Sequence, residues 1–347
     1  MSPACAVAAS VNASAAQYVA WVTVRKNLCG IIRNILQGIG WGMRQVLVVH
    51  YSQTGQLNRL VQSVCAPLQA STGIQVDFLP LEPVQPYPFP WPFLGFFRIF
   101  PETVLMKPQP LRPLAVDAGK EYDLIILAYQ VWFLSPSLPL TSFLATPEAA
   151  QLLRGRPVMT LIGCRNMWLM AQEKVKARLA ALGARLLDNV ALTDACGTAA
   201  SFLATPLWMF TGRRKPYGWV PLAGIEDAEI SAASRFGEAI AQRLSADDLP
   251  LEQPMLRGLG AVKVDEKLIG SETVGNRSFQ LWSRLLSALG PQQSRRRGAG
   301  LVVYIVFLIS LIITVVPLGT LLKKVLAPLS RARTQRQKDY FAGPSGE

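Results

Sequence analysis

At 347 residues, half of them hydrophobic, the chain has material for one large domain or two small ones and is too apolar to be only a soluble enzyme. Its formal charge of +13 would suit nucleic acid, but residues 1–44 hold four Arg/Lys and no acid, residues 284–347 hold ten against two, and the centre is left at +1. Basic ends favour a membrane surface over a nucleic-acid groove, and a single histidine (His50) with five scattered cysteines excludes His-rich metal sites, paired-thiol zinc sites and two-histidine mechanisms.

Residues 1–42 are Ala-rich and free of acids, with no early basic segment, and fit a secretory signal poorly. The natural start is expected at Met43, which makes residues 1–42 an over-extended N-terminal extension; the competing reading is an amphipathic helix from Val22 to Leu36 lying on a membrane. From residue 45, short apolar runs alternate with amphipathic stretches, the βαβ pattern of a parallel sheet. Strands are predicted at 45–50, 74–79, 122–128, 157–163 and 185–191, and helices near 56–69, 138–153, 168–182 and 226–244. This predicts an α/β domain over 43–250 with a doubly wound five-stranded parallel sheet of order 2-1-3-4-5, whose ligand lies across the carboxyl ends of the strands.

The first strand runs into Tyr51-Ser52-Gln53-Thr54-Gly55-Gln56-Leu57. Ser52 and Thr54 offer hydroxyls, Gly55 allows close backbone approach, and a helix starting at Gln56 turns its N-terminal N–H groups toward an anion. The spacing is neither Walker A nor the Gly-x-Gly-x-x-Gly turn. It resembles the FMN-phosphate loop of flavodoxin-like proteins, Ser/Thr-x-Thr-Gly-x-Thr, with Ser52, Gln53, Thr54, Gly55, Gln56 and Leu57 as the cofactor-binding stretch. Leu57 stands where the last Thr is expected, so one hydroxyl is missing unless Gln56 or Asn58 replaces it. The plainer alternative is an ordinary strand-turn-helix connection. His50, at the strand end, is expected to be packed and hydrogen-bonded rather than catalytic.

Two long insertions follow strands. Pro83 to Pro113 carries Tyr87-Pro88-Phe89-Pro90-Trp91-Pro92-Phe93, then Phe96, Phe97 and Phe100; Gly197 to Pro221 carries Phe202, Trp208, Phe210, Tyr217 and Trp219 beside Arg213-Arg214-Lys215. They either roof a greasy substrate pocket or form satellite hydrophobic clusters under long loops. After the third strand, Trp132 and Phe133 occupy a loop where flavodoxin-like proteins place an aromatic; Trp132 is read as a stacking partner of the isoalloxazine ring or else as a core residue. Beyond the fourth strand, Gly163, Cys164, Arg165 and Asn166 fall in the second flavin-contacting loop of such folds. There Arg165 and Asn166 are candidates for contacting the ring's polar edge, against a solvent-facing Arg and a helix-capping Asn. Asp194, after the fifth strand, is a proton acceptor or an N-cap.

Residues 251–298 read as a linker and amphipathic segment, 299–322 as a hydrophobic membrane anchor and 323–347 as a basic tail. The uncharged run from Ala299 to Leu322 would make a helix of about 36 Å, longer than the roughly 30 Å bilayer core. Pro317 and Gly319 are expected to break its last third, and both flanks are basic, so a true span and a kinked, re-entrant or monotopic anchor stay open.

Tyr51-Ser52-Gln53-Thr54-Gly55-Gln56-Leu57, the run Pro88 to Phe93 followed by Phe100-Pro101-Glu102-Thr103, Cys164-Arg165-Asn166-Met167-Trp168 and the anchored tail together resemble the flavodoxin-fold proteins called dialkylresorcinol condensing enzymes, over roughly residues 43–347. The resemblance implies an FMN-dependent aromatase that converts a dialkyl cyclohexanedione to a dialkylresorcinol after a ketosynthase has built the ring. Arg165, Asn166 and Asp194 would be its catalytic candidates. Its partners would be a hydrophobic small-molecule substrate, that ketosynthase and membrane lipid, with no nucleic acid, at the cytoplasmic face of the inner membrane. Competing readings are a membrane-associated NAD(P)H:quinone oxidoreductase, a flavodoxin-type electron carrier, or a flavin-free scaffold, the last motivated by Leu57.

Overall fold

Short runs rich in apolar residues make the sheet, the central ones buried on both faces. In the computed structural model, which describes residues 42–246 and 251–346, these runs form β1 (Arg44–His50), β2 (Ile74–Pro80), β3 (Leu124–Trp132), β5 (Pro157–Cys164) and β6 (Arg185–Thr193), in the order β2-β1-β3-β5-β6. A two-residue strand, β4 (Ser135–Pro136), pairs only with β3, as an antiparallel hairpin. The ladders β1·β3, β3·β5 and β5·β6 are parallel, with Val48 opposite Ile126 and Ala128 opposite Leu161. With β5 and β6 counted as the fourth and fifth long strands, this is the predicted flavodoxin-like doubly wound order 2-1-3-4-5. The expectations for residues 1–41 lie outside the described residues.

Strand alternation sends Val46, Val48, Leu124 and Ile126 to one face and Leu47, Val49, Ile125 and Leu127 to the other. On the first face lie α1 (Gln56–Ala70) and, much later in the chain, α8 (Asp227–Ala232) and α9 (Ser234–Leu244). A Cβ at Gly237 would stand 1.9 Å from the carbonyl oxygen of Val64, so only glycine lets α9 press this closely on α1. The second face is covered by α4 (Leu138–Phe143), α5 (Pro147–Leu153) and α6 (Leu169–Ala181).

The helix predicted over 138–153 is divided because Thr146 accepts a hydrogen bond from the Ala149 N–H (3.1 Å) and Pro147 opens a new first turn. The first insertion becomes helical only past the proline run that ends at Pro92, as α2 (Phe93–Arg98) and α3 (Phe100–Val104, with Pro101 in its first turn); the second contains α7 (Thr198–Thr211), helical through Pro206. The segment read as a linker and amphipathic stretch, 251–298, contains α10 (Glu266–Ala288). The apolar run is the middle of a 48-residue helix, α11 (Arg295–Ala342), which passes Pro317 and Gly319 without the interruption expected there. Its first turns are docked: Leu301, Tyr304 and Ile305 are buried with Phe100, Val104 and Leu286. Arg297, 4% exposed, donates to both carboxylate oxygens of Glu102 and to the Arg98 carbonyl.

Candidate functional site

The loops at the carboxyl ends of β1, β5 and β6 converge. After β1, the Ser52 hydroxyl oxygen is buried and has no hydrogen-bond partner among the described residues, while Thr54 Oγ1 accepts from the Gln56 N–H (3.4 Å). Gly55 adopts φ 79°, and nothing lies within 4 Å of where a Cβ would stand; α1 begins immediately after it with no side-chain cap. The turn is thus an open cradle with an unsatisfied hydroxyl at a helix N-terminus, a setting that fits a phosphate.

The remaining side chains of this stretch are engaged elsewhere. Gln53 Nε2 donates to the Pro88 carbonyl (2.9 Å), tying the loop to the first insertion. The Gln56 amide makes a two-way bridge with Ile225, donating to its carbonyl and accepting from its N–H, both at 3.1 Å. Asn58 Oδ1 pairs with His50 Nδ1 at 3.2 Å, and burial lowers the imidazole's pKa, so His50 is the packed residue expected. Neither Gln56 nor Asn58 therefore supplies the missing hydroxyl. Leu57 is 2% exposed in the core, which leaves only its backbone for a ligand.

At the end of β5, a Cβ on Gly163 would come within 3.2 Å of Leu57 Cδ1, so this glycine brings the second loop against the first. The Arg165 guanidinium lies over the Phe202 ring (4.1 Å) and donates to Met167 Sδ (3.4 Å), and burial pulls its pKa down. Asn166 Oδ1 is buried without a partner among the described residues, and burial pushes the Cys164 thiol up. Asp194 closes the group as a structural link: its N–H donates to the carbonyls of Arg165 (2.8 Å) and Cys164 (3.1 Å), Oδ1 accepts from the Cys196 N–H and Oδ2 from the Thr205 hydroxyl. Both carboxylate oxygens are thus occupied in holding the turn before α7.

The aromatic residues depart most from expectation. Trp132, 7% exposed, has Tyr51, Tyr87 and Trp91 packed edgewise around it at centroid distances of 6.1, 5.1 and 6.0 Å. The indole is a core residue here rather than a free stacking platform, because the first insertion folds back over it. Phe133 turns the other way and stacks on Phe96 (4.4 Å). Phe133 and Leu134 are the central residues of the two-residue β3–β4 turn, both with positive φ (48° and 56°), where Asn-Gly is the unstrained choice. From Phe133 the contacts continue through Phe100 to Tyr304 on α11, so a wall of aromatic rings joins the loops to the apolar helix. In the second insertion Tyr217 and Trp219 stack on each other in solvent, Trp219 being 71% exposed, so they do not roof the loops. A cleft of about 400 Å³ lined by Asp77, Lys120 and Tyr122 lies toward the opposite, amino end of β3, away from these loops.

One residue of the region was not anticipated. Glu272 of α10 is fully buried, accepts from the N–H groups of Leu169 (3.3 Å) and Met170 (3.1 Å) at the start of α6, and has its pKa pushed up to about 8 by burial. Its signal in the sequence is a carboxylate three residues after Ile269, on the apolar side of an amphipathic helix.

No protein-family model matches the sequence, and no curated protein matches it. Among solved structures, it resembles a flavoprotein in complex with FMN from Lactobacillus acidophilus (13% identity, 42% of this chain and 91% of that one, TM-score 0.35). It also resembles a flavodoxin from the domain Archaea (11%, 58% and 99%, 0.34) and oxidised flavodoxin 1 from Bacillus cereus (14%, 58% and 99%, 0.32). The flavodoxin-like fold itself follows from the strand order and register of this chain.

Proposed function

We propose that the chain is an FMN-dependent oxidoreductase that aromatises a dialkyl cyclohexanedione to a dialkylresorcinol, downstream of a ketosynthase and at the cytoplasmic face of a membrane. The observation that carries the flavin part is the unpartnered Ser52 hydroxyl in an open glycine turn at the head of α1. Ser52, Thr54 and the backbone of Gly55, Gln56 and Leu57 would hold the FMN phosphate, and Asn166, with an unsatisfied buried oxygen, would accept a hydrogen bond from the polar edge of its ring system. FMN, when bound, supplies the acceptor for the hydride that the cyclohexanedione loses as a base removes its acidic α-proton, a net loss of two hydrogens. Arg165 contributes a half-buried positive charge beside that loop, and Asp194 fixes the loop's backbone. The aromatic wall running to α11 supports a substrate with alkyl chains.

Purified full-length protein should bind FMN in titration. Mixed anaerobically with a dialkyl cyclohexanedione, the yellow protein should bleach as a resorcinol forms. Protein that ignores FMN overturns the whole reading. Flavin untouched by the dione, yet reduced by NAD(P)H and reoxidised by quinone, assigns the chain to the quinone oxidoreductase alternative, which the same aromatic wall would serve.

A further inference from the structure

The two ends of α11 are fastened to the same part of the domain. At its beginning, Tyr304 is fully buried against Phe100, in a cluster that includes Val104. Near its end, the Tyr340 hydroxyl donates to Glu173 Oε2 (2.7 Å), and the adjacent residue on α6, Lys174, donates from Nζ to the Val104 carbonyl (3.0 Å). Tyr304 and Tyr340 thus meet neighbouring groups, although the 36 residue steps from one to the other amount to ~54 Å of helix at 1.5 Å per residue.

The last residues are locked further. Phe341 is buried in the core of the second sheet face. Ser345, 1% exposed, donates its hydroxyl to Asp188 Oδ1 (2.7 Å) and accepts from the Asn189 N–H (2.7 Å), while Asp188 also accepts from the Met255 and Leu256 N–H groups. Lys338 pairs with Glu266 at the start of α10. A single passage through a bilayer would put these contacts on one side and the Arg297–Glu102 pair on the other, and both belong to one domain.

We propose that α11 enters the membrane and returns, a bent re-entrant helix whose lipid-facing stretch is flanked on the same side by both of its basic ends. The occupant of its outer face is an anionic bilayer leaflet. Val302, Val303, Val306, Phe307, Ile309 and Ile313 are exposed there, the sequence carries no charge from Gly298 to Leu322, and Arg295-Arg296 precede and Lys323-Lys324 follow that run. Pro317, Gly319 and Pro328 are residues at which a helix kinks without losing its continuity. The inference stands independently of any flavin.

The full chain, with an epitope after Glu347, is expressed in bacteria and examined in inverted membrane vesicles and in spheroplasts. The protein should pellet with the membranes, and protease should remove the epitope in inverted vesicles and spare it in spheroplasts, with the sheet domain behaving identically. An epitope protected in inverted vesicles while the sheet domain is digested shows a span and overturns the proposal. In a second measurement, the double substitution Ile309→Lys and Ile313→Lys, at two exposed positions, should move most of the protein to the soluble fraction with its thermal transition unchanged. Undiminished membrane binding of that variant, or wild-type protein that never pellets, equally overturns it.

Discussion

The loop after β1 and the aromatic wall beside it lie at the same end of the sheet and are organised in opposite ways. The loop presents a hydroxyl that no other group satisfies and a glycine with empty space before it, whereas every ring around Trp132 has its place filled by another ring. A buried hydroxyl without a partner costs the fold rather than stabilising it, and it is available for a ligand. A packed indole contributes to folding and becomes available only if its neighbours move. Affinity for an anion should therefore be separable from stability by mutation, and the two regions should fail in different assays.

The largest effect is expected from the wall. Trp132→Ala should cost about 3–5 kcal/mol in a denaturant titration, the range for deleting a buried large aromatic. A variant as stable as wild type would show the wall to be loosely packed and would erase the contrast.

Glu272 extends the comparison beneath the second loop, where a satisfied group still weakens the fold. With a folded-state pKa near 8 against an ordinary 4.5, the native protein keeps a proton that the unfolded chain has lost. Stability should fall as pH rises above 4.5 and level off past about 8, by on the order of 5 kcal/mol in total. Denaturation midpoints at pH 5, 7 and 9 give the slope, and Glu272→Gln should flatten it; an equal slope in that variant would place its origin elsewhere.

In the phosphate-type loop the pattern should invert. Ser52→Ala and Thr54→Val should leave the unfolding free energy of the ligand-free protein within about 1 kcal/mol of wild type, with Ser52→Ala on the stabilising side because it removes an unsatisfied hydroxyl. Each should weaken FMN by roughly 1.5–3 kcal/mol, tenfold or more in Kd, through loss of a hydrogen bond to a charged phosphate. Equal losses of stability and affinity would mean that the loop is structural. The smallest effect is expected at Arg165: Arg165→Met should lower the bound flavin's reduction potential by on the order of 30 mV, about 1.4 kcal/mol for two electrons. A potential that does not move would detach Arg165 from the flavin.

The sheet is legible because β1, β3 and β5 are nearly continuous apolar runs buried on both faces, while β2, with Gln75 and Asp77 in it, and β6, with Asp188 and Asn189, show as short apolar-rich stretches between amphipathic segments. The break between α4 and α5 was also written locally, in a threonine followed by a proline, but the apolar period of 138–153 runs across it. What stayed hidden was long-range. That Gln56 would be drawn to Ile225, that Trp132 would be enclosed by Tyr87 and Trp91, and that Glu272 would cap α6 are pairings between distant segments, and no local period encodes a partner. The insertions could be recognised as aromatic from sequence, yet whether they cover a ligand or one another depends on where their rings point.

The turn at Phe133 and Leu134 bears on how the sheet would respond to force. Two non-glycine residues at positive φ cost about 1–3 kcal/mol each, so the turn does not hold itself. It is kept shut from outside, by Phe96 and Phe100 on Phe133 and by α10, where Leu134 Cδ1 lies 3.3 Å from the position a Cβ of Gly275 would take. Displacing α10, which also carries α11's first turns, would release a loaded hairpin at the end of the central strand. The exchange rate of the Ser137 amide, which closes that hairpin by donating to the Gln130 carbonyl at 2.9 Å, would then report strain arriving from the helices while the rest of β3 stayed protected.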